Sequence, residues 1–368
     1  MPKILINASL ALSLHNFRGP LIRDLLADGF EVHVSAPAFR PLDRSLVEAL
    51  GAQVHELPLS RSGLGIFGDL KYLLSMVRLV SKLQPDHILN YTIKPNIWGS
   101  LAARLAGVPA ASMITGLGFA FARPKGHLQA LVQFIARSLY RLALVRNRVV
   151  FFQNPDDLAD FRKAGILPAS ARICMINGSG VDLDHYGPQP LPDTPIFLMI
   201  ARLLGAKGIR EFASACAKVR SAYPEARFIL VGPSDEGPDG ISVEDVKSLC
   251  SGTIDYWGSL EDVRPAIAEA SVYVLPSYRE GTPRSSLEAM AMGRPVITTD
   301  APGCRATVVD GENGFLVPVA DAGALALAME KLAVDAELRR SMGAKSLEIA
   351  QTRFNVKIVN DAIISELR

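Results

Sequence analysis

Glu280 and Glu288 lie eight positions apart in a segment that follows a strand-like apolar run and leads into a helix-favouring one. Thr282 can act as the N-cap of this helix, and Pro283 suits its first position. The free N–H groups of the first turn would then face outward at the end of a strand, where they attract a phosphate. Two carboxylates beside that phosphate can accept hydrogen bonds from hydroxyls. Phosphate and hydroxyl recognition together predict a sugar nucleotide as the ligand.

A second pair of charged residues, Arg202 and Lys207, follows the strand-like run 196–200. Gly205 and Gly208 keep the loop that carries them open. Cations at the carboxyl end of a strand can stabilise the negative charge that develops on a departing diphosphate. Arginine binds phosphate with a planar, two-pronged guanidinium, whereas lysine binds it as a single point charge. The alternative is an exposed pair of loop cations without a ligand.

Length and composition indicate two folded domains. At 368 residues the chain is long for one hydrophobic core, and with 49% hydrophobic residues it has ample material for burial. The cysteines lack CxxC spacing, which favours buried small residues in a reducing compartment over zinc or disulfides. The first residues are expected to form a buried strand rather than a signal peptide. No stretch reaches the roughly 18 uncharged apolar residues that a spanning helix needs.

Charge is unevenly distributed, although the formal net charge is only +2. No acidic residue occurs between Asp86 and Asp156, and this stretch carries Lys94, Arg104, Arg123, Lys125, Arg137, Arg141, Arg146 and Arg148. It is either a solvated basic face or a cationic surface for an anionic partner. Nucleic acid is disfavoured, because exposed aromatics and a binding motif are missing. The basic amphipathic helix at 127–146 favours an anionic membrane surface or a lipid diphosphate.

Strand-like apolar runs alternate with helical patterns along the chain, which favours βαβ units and parallel sheets. The strands predicted for a first doubly wound domain are 3–7, 31–35, 53–57, 87–90, 110–114 and 149–153. Those predicted for a second are 196–200, 227–232, 253–257, 272–275, 295–298 and 314–317. The proline-rich segment 184–195 is the expected linker, which gives domains at 1–188 and 189–350. Because doubly wound sheets bind ligands at strand carboxyl ends, two facing domains would share one cleft.

The segment Glu280-Gly-Thr-Pro-Arg-Ser-Ser-Leu-Glu-Ala-Met-Ala-Met-Gly-Arg-Pro-Val resembles the signature of retaining family 4 glycosyltransferases. The resemblance continues through 199–208 and 90–96, so it covers essentially the whole chain. It implies the α/β GT-B fold, two facing Rossmann-like domains with an interdomain cleft, and a last helix within 351–368 that packs back on the N-terminal domain. Within the family, the chain is most similar to bacterial enzymes that add N-acetylated hexoses to polyprenyl-diphosphate-linked saccharides.

The resemblance also implies roles for residues of the C-terminal domain. Arg202 and Lys207 would hold the donor diphosphate and, with Glu280 near the donor sugar, form the catalytic group. Glu288 would bind the ribose. Close backbone contacts to phosphates and nucleoside are implied for Gly281, Ser285, Ser286 and Leu287. No metal and no cofactor is expected, because relatives of this fold neutralise the diphosphate with protein cations.

Two positions of the donor domain leave alternatives open. The family usually has an apolar residue where Thr282 stands, so the inference about which sugar binds is weaker here. Trp257 stands at the end of a predicted strand, where the base would stack or pair with backbone, but it is equally consistent with a core residue.

In the N-terminal domain, the candidates for contact with donor phosphate or acceptor are Asn16, Arg18, Gly19, Lys94, Thr115 and Gly116. The segment 16–19 is expected to begin a helix after the first strand, with an ordinary loop as the alternative. Many relatives place a histidine where Thr115 stands, so the general base is unassigned. His15 is the nearest spare imidazole by position.

Two motifs are rejected. The segment 63–68 formally matches GxGxxG, but it lies beyond the third predicted strand and lacks a suitably placed acid after it. Asp182 and Asp184 formally match a metal-binding DxD, but they stand where the family continues into its linker.

We therefore expect a cytoplasmic, metal-independent glycosyltransferase, peripheral on the inner face of the membrane. Its donor would be UDP-N-acetylgalactosamine, and its acceptor a polyprenyl-diphosphate-linked saccharide of polysaccharide biosynthesis or protein glycosylation. One alternative is a UDP-sugar 2-epimerase of the same architecture. Another is a non-catalytic subunit that binds a lipid-linked saccharide. The oligomeric state is open.

Overall fold

The computed structural model describes residues 1–59, 65–121, 126–235, 237, 239–250 and 252–368. The chain divides into two compact units, Met1–Ser179 with Val359–Arg368, and Gly180–Ile358. Each unit contains one parallel sheet, of seven strands in the first and six in the second. The predicted α/β class with two Rossmann-like sheets is confirmed.

The first sheet has the strand order β3-β2-β1-β4-β5-β6-β7. Its strands are β1 (Lys3–Asn7), β2 (Glu31–Ala36), β3 (Gln53–Glu56), β4 (His87–Tyr91), β5 (Ala110–Ile114), β6 (Val149–Phe152) and β7 (Ile173–Met175). The helices between them are α1 (Ala11–Ala27), α2 (Pro41–Ala49), α3 (Ile66–Leu83), a π-helical turn (Pro95–Gly99), α4 (Ser100–Ala106), a 3₁₀ turn (Gly118–Phe121), α5 (His127–Leu144) and α6 (Pro155–Lys163). The central strands are buried and mostly apolar because helices cover both sheet faces.

The second sheet has the order β10-β9-β8-β11-β12-β13. Its strands are β8 (Ile196–Ile200), β9 (Arg227–Val231), β10 (Asp255–Tyr256), β11 (Val272–Leu275), β12 (Val296–Thr299) and β13 (Gly314–Val317). The helices are α7 (Ile209–Ala222), α8 (Val243–Cys250), α9 (Arg264–Glu269), α10 (Arg284–Ala291), α11 (Ala322–Val334), α12 (Ala336–Arg353) and α13 (Val356–Leu367); short 3₁₀ turns lie at Gly205–Lys207 and Arg305–Thr307.

The end of α13 belongs to the core of the first unit. Val359, Ile363 and Leu367 are buried there among side chains of β1, β2 and α1. The Asn360 amide donates to the Asp24 carboxylate at 2.6 Å. The last residues of the chain therefore complete the N-terminal unit.

The proline-rich segment before β8 is held against the second unit by buried arginines. The guanidinium of the fully buried Arg294 donates to the carbonyls of Gln189 and Pro190 at 2.7 and 2.9 Å. Arg339 likewise donates to the Asp193 carbonyl. Burial lowers the pKa of Arg294 to about 10. These bonds tie the segment to the unit that follows it in sequence.

Among the residues that the structure describes, no helix is long and apolar enough to cross a membrane. All four cysteines are free thiols; Cys216, Cys250 and Cys304 are buried, and Cys174 is half-buried.

Candidate active site

The start of α10 differs by one residue from the sequence prediction. The helix begins at Arg284, and Pro283 occupies the N-cap position with an extended backbone (φ −70°, ψ 110°) and no side-chain cap. Thr282 therefore lies outside the helix and is not its N-cap. The proline ring fixes φ at Pro283, and its extended ψ makes it the last non-helical residue. Pro283 itself provides no side-chain cap, and the start of a helix is a position that favours an anion.

Lys207 and Glu280 form an ion pair at the carboxyl side of the second sheet. The Lys207 ammonium contacts Glu280 Oε1, and Ser277 Oγ donates to the same oxygen at 2.7 Å. The two charged side chains are only 19% and 15% exposed. An ammonium has three N–H donors, so this pair leaves further donors for a phosphate. Two of the predicted catalytic residues are thus brought together.

Arg202 lies on the same loop as Lys207 and pairs with a different carboxylate. Its Nη1 donates to Asp235 Oδ2 at 2.6 Å, and the Arg202 side chain is largely exposed. The Asp239 carboxylate, on the same loop as Asp235, accepts the N–H of Ala206 at 2.7 Å. Both predicted diphosphate-binding cations therefore face a carboxylate.

Gly208 ends this loop and permits a close approach of two backbone segments. Its φ is +77°, and a Cβ there would lie 2.2 Å from the carbonyl oxygen of Pro276. Only glycine satisfies both conditions without displacement of the loop. Gly208 therefore holds Lys207 close to the segment that carries Glu280.

Glu288 is buried in α10, with 7% of its surface exposed. Arg284 Nε donates to Glu288 Oε1 at 2.8 Å. Burial raises the pKa of Glu288, while Arg284 and Tyr186 oppose the rise. The result is a buried carboxylate that the Arg284 guanidinium already contacts.

The remaining donor-site candidates surround the start of α10. Ser285 Oγ accepts from the Tyr273 hydroxyl at 2.6 Å. Ser286 is fully buried, and its hydroxyl has no hydrogen-bond partner among the described residues. Leu287 is part of the core, so only its backbone can meet a ligand. Gly281 and Thr282 are half-buried in the preceding loop.

Trp257 is half-buried and packs against the core of the second unit. Its backbone N–H donates to the Leu230 carbonyl at 2.9 Å. These contacts agree with the core alternative, and a contact with a base stays a prediction.

In the first unit, Asn16, Arg18 and Gly19 lie inside α1 and not at its start. The expectation that a helix begins at this segment is wrong because α1 starts at Ala11, in a run that is already helix-favouring. Asn16 is exposed, whereas Arg18 is only 3% exposed. The Arg18 guanidinium contacts Met113 Sδ at 2.7 Å and lies over the Tyr91 ring. Buried in this way, Arg18 is not the exposed loop cation of the alternative interpretation.

Lys94 is engaged in an ion pair of low exposure. Its ammonium lies 2.8 Å from Asp69 Oδ1 of α3.

Thr115 and Gly116 follow β5 and are half-buried, and His15 contacts the Asn16 amide oxygen at 3.1 Å. No hydrogen bond that the structure describes joins Lys94, Thr115 and Gly116 to one another.

The two rejected motifs and part of the basic stretch do not contribute to this candidate site. Residues 63 and 64 of the GxGxxG segment, and Arg123 and Lys125 of the basic stretch, lie outside the described residues. Asp182 Oδ1 accepts the backbone N–H groups of Asp184 and His185 at 3.1 Å, which is a turn-forming contact. Within the described part of the chain, no group of three His, Cys, Asp or Glu side chains could hold a metal.

Comparison with known proteins identifies the family. Residues 194–335 match the family model described as glycosyl transferases group 1, and residues 3–154 match the one described as glycosyl transferase 4-like. The N,N'-diacetylbacillosaminyl-diphospho-undecaprenol alpha-1,3-N-acetylgalactosaminyltransferase of Campylobacter jejuni is 30% identical over 353 residues, 92% of this chain and 91% of the relative. The chain belongs to the retaining family 4 glycosyltransferases.

Further relatives of this glycosyltransferase agree. The UDP-Gal:alpha-D-GlcNAc-diphosphoundecaprenol alpha-1,3-galactosyltransferase of Escherichia coli is 26% identical, over 90% of this chain and 85% of the relative. A sucrose-phosphate synthase from Thermosynechococcus elongatus superposes with a TM-score of 0.82 at 20% identity, over 99% of this chain and 98% of the other. Anabaena HepE in complex with UDP and glucose superposes with a TM-score of 0.80 at 20% identity, over 100% of this chain and 99% of the other. These similarities establish the GT-B fold.

Four residues near the candidate site were not predicted from the sequence: Tyr186, Asp235, Ser277 and Arg284. The spacing of Arg284, four residues before Glu288 on a helix, was a usable signal. Tyr186 and Asp235 meet their partners only through the fold, so no local pattern marks them.

Proposed function

We propose that this glycosyltransferase transfers N-acetylgalactosamine from UDP-N-acetylgalactosamine to a polyprenyl-diphosphate-linked saccharide in bacterial glycan assembly. The observation that carries the proposal is the ion pair of Lys207 with Glu280, four residues before the start of α10. The names of the Campylobacter and Escherichia relatives support a diphospho-undecaprenol acceptor. UDP bound to HepE supports a UDP donor.

The donor diphosphate would take over the cations that carboxylates now hold. Asp235 faces Arg202, and Glu280 faces Lys207. A diphosphate brings two negative charges and several acceptor oxygens, so it can exchange with these single carboxylates. The N–H groups at the start of α10 add donors of fixed direction. These groups stabilise the charge that develops as UDP leaves.

The transfer step needs no covalent intermediate on the enzyme. The bond from the sugar C1 to the β-phosphate oxygen breaks, and the acceptor oxygen bonds to C1 from the same face. The acceptor proton passes to an oxygen of the departing diphosphate, which removes the need for a histidine at position 115. Glu280 Oε1 already accepts from Lys207 and Ser277, which lowers its nucleophilicity and suits it to positioning. Arg202 and Lys207 supply the positive charge, so we propose no metal.

The first unit would receive the lipid-linked acceptor at a membrane. α5 buries Tyr140 and Leu144 in the core and exposes Leu131 and Phe134. Arg141, on the same helix, is also exposed. A helix with exposed apolar and basic side chains suits the boundary of an anionic leaflet. We therefore propose a peripheral position on the inner face of the cell membrane.

The test is transfer from UDP-N-acetylgalactosamine to a polyprenyl-diphosphate-linked saccharide, with Lys207→Ala as the variant. Wild type should extend the glycan, and removal of the Lys207 ammonium should lower turnover by roughly 10²–10³. Lys345→Ala is the matched control, because Lys345 pairs with Glu348 on the exposed surface of α12. Full activity of Lys207→Ala would contradict the proposal. An epimerised sugar nucleotide formed without acceptor would indicate the isomerase instead. If neither an extended glycan nor an epimerised sugar nucleotide forms, the result would indicate the non-catalytic binding subunit.

A further inference from the structure

We propose that Arg284 is a positioning residue for the donor nucleoside: its guanidinium holds the Glu288 carboxylate in the charged form and the orientation that bind the two ribose hydroxyls. This role rests on the proposed function and on the ribose contact that the family resemblance implies for Glu288. It belongs to the first residue of α10, one helical turn before Glu288. One consequence is that nucleotide affinity depends on pH through this pair of side chains.

Arg284 and Glu288 are joined by a hydrogen bond along one face of α10. Arg284 Nε donates to Glu288 Oε1 at 2.8 Å. Residues four apart are neighbours on the surface of a helix, so the contact follows from the spacing once α10 forms. The Arg284 side chain is 25% exposed and the Glu288 side chain only 9%. The ion pair is therefore less screened by solvent than an ordinary surface pair.

Burial makes the charge of Glu288 depend on its partner. Desolvation raises the pKa of the Glu288 carboxyl, and the positive charge of Arg284 is the largest of the influences that lower it. The other titratable groups that face Glu288 are Tyr186 in the segment before β8, Asp262 in the loop before α9, and Tyr273 of β11. Of these four groups, Arg284 alone is positively charged. Without it, the carboxyl would stay protonated to a higher pH.

The charged form of Glu288 is the one suited to a ribose. A carboxylate has about four acceptor sites on its two oxygens, and protonation turns part of that capacity into a donor. The Arg284 contact uses one acceptor site on Oε1 and leaves others for the vicinal hydroxyls of a ribose. Fixing the carboxylate before binding also reduces the entropy that is lost when the ribose docks. Arg284 therefore acts on nucleoside affinity and not on the bond-breaking step.

The experiment measures the affinities of UDP and 2′,3′-dideoxy-UDP by calorimetry from pH 6 to 8.5, with the full chain and the variant Arg284→Gln. The ratio of the two affinities isolates the ribose hydroxyls, because both nucleotides carry the same base and diphosphate. At pH 7 we expect this ratio to fall about tenfold in Arg284→Gln, the size of one hydrogen bond to a charged group, and to recover as the pH rises. The affinity for dideoxy-UDP should change less than about twofold. KM for the donor should rise, with kcat at saturation unchanged.

Two further variants serve as controls. Arg284→Lys keeps a cation four residues before Glu288, so the ratio should stay within about threefold of wild type. Arg44→Gln is the matched control, because Arg44 forms an ion pair of the same spacing and order with Glu48 on α2, where both side chains are more exposed. Its nucleotide affinities should equal those of wild type.

An unchanged ratio in Arg284→Gln, including the case in which both nucleotides lose affinity equally, would overturn the positioning role. A fall in the ratio that is the same at every pH would overturn it too. If Glu288→Gln lowers the ratio but Arg284→Gln does not, only the role of Arg284 fails. If Glu288→Gln leaves the ratio intact, the ribose contact of Glu288 fails as well. The proposed function is tested separately, by glycan extension with the wild-type enzyme.

Discussion

Glu288 combines burial with a requirement for charge. The Glu288 side chain is almost fully buried. Arg284 and Tyr186 lower its pKa, but by less than desolvation of the ionised carboxylate raises it. The pKa of Glu288 is therefore raised, and the ionised carboxylate is less favourable in the folded chain than in the unfolded one. A ribose-binding role would require this unfavourable form. Stability and ligand binding consequently oppose each other at this residue.

The pH dependence of Glu288→Gln follows from that opposition. Because the folded pKa is raised, the folded state binds more protons than the unfolded state, and stability falls as pH rises through the window above the ordinary glutamate value. Glu288→Gln removes this loss. The variant should gain unfolding free energy over wild type from acidic to neutral pH while it loses UDP affinity. Thermal unfolding from pH 4 to 8 measures the difference; a difference that does not change with pH would contradict the expectation.

At this scale, residues within one motif were more predictable than their partners. Lys207 and Glu280 belong to two motifs that each lie after the carboxyl end of a predicted strand. Because the expected sheet is parallel, it brings those ends, and therefore the two residues, to the same edge. Tyr186 and the buried Arg294 act through contacts that only the folded chain creates. Arg18 was placed correctly after β1, but its burial depends on Met113 and Tyr91, which local sequence does not reveal.

At the scale of elements, the loop between β8 and α7 depends on one backbone position. Gly208→Ala would add a Cβ 2.2 Å from the Pro276 carbonyl oxygen at a φ of +77°. We expect a loss of about 2–4 kcal/mol of unfolding free energy, from strain together with a backbone clash. Turnover should also fall, because the displaced loop carries Lys207. Chemical denaturation and the transfer assay measure the two effects.

Gly107→Ala provides the comparison for that prediction. Gly107 has a similar φ of +72°, but a Cβ there meets nothing within 4 Å. Only the left-handed backbone is then strained, at a cost of about 1 kcal/mol. Equal losses at the two glycines would show that the close approach to Pro276 is unimportant.

The exposed face of α5 gives a second prediction at this scale. Phe134 is 68% exposed and Leu131 is exposed beside it. Replacing both with serine should weaken binding to vesicles that contain anionic lipid, because the insertion of apolar area is lost. The remaining binding should fall steeply with salt, as expected for basic side chains such as Arg141. Sedimentation with vesicles measures both effects, with Leu327→Ser of α11 as an equally exposed control in the other unit. Vesicle binding unchanged by the double replacement would remove α5 from the membrane contact.

Elements with strong periodicity were predicted well, and their ends less so. The apolar runs of β1, β5 and β8 gave the same bounds in sequence and structure. The three-residue edge strand β7 was missed because so short a run has no period to recognise. The start of α10 shifted by one residue because Pro283 suits either the first helical position or the residue before it.

At the scale of the whole molecule, the first unit is formed by two segments that are far apart in the sequence. The first unit takes its final helical segment from the other end of the sequence, after the chain has built the second unit. Amphipathic periodicity can reveal that a C-terminal helix exists, but not which core receives its apolar face. Only the family resemblance implied this assignment in advance.

This arrangement predicts that a change near the C-terminus destabilises the N-terminal unit and spares the donor site. Ile363 of α13 is fully buried in the first unit's core, whereas Ile358, on the same helix, is 46% exposed. Ile363→Ser should cost the first unit about 3–5 kcal/mol, because it removes packing and buries a hydroxyl. Ile358→Ser should change stability by less than about 0.5 kcal/mol.

At a temperature where the Ile363→Ser chain is still folded, its UDP affinity should stay within about twofold of wild type, because Lys207, Glu280 and Glu288 lie in Gly180–Ile358. Calorimetric unfolding together with UDP titration tests both statements, and a large loss of UDP affinity in the folded variant would mean that the donor site extends into the first unit.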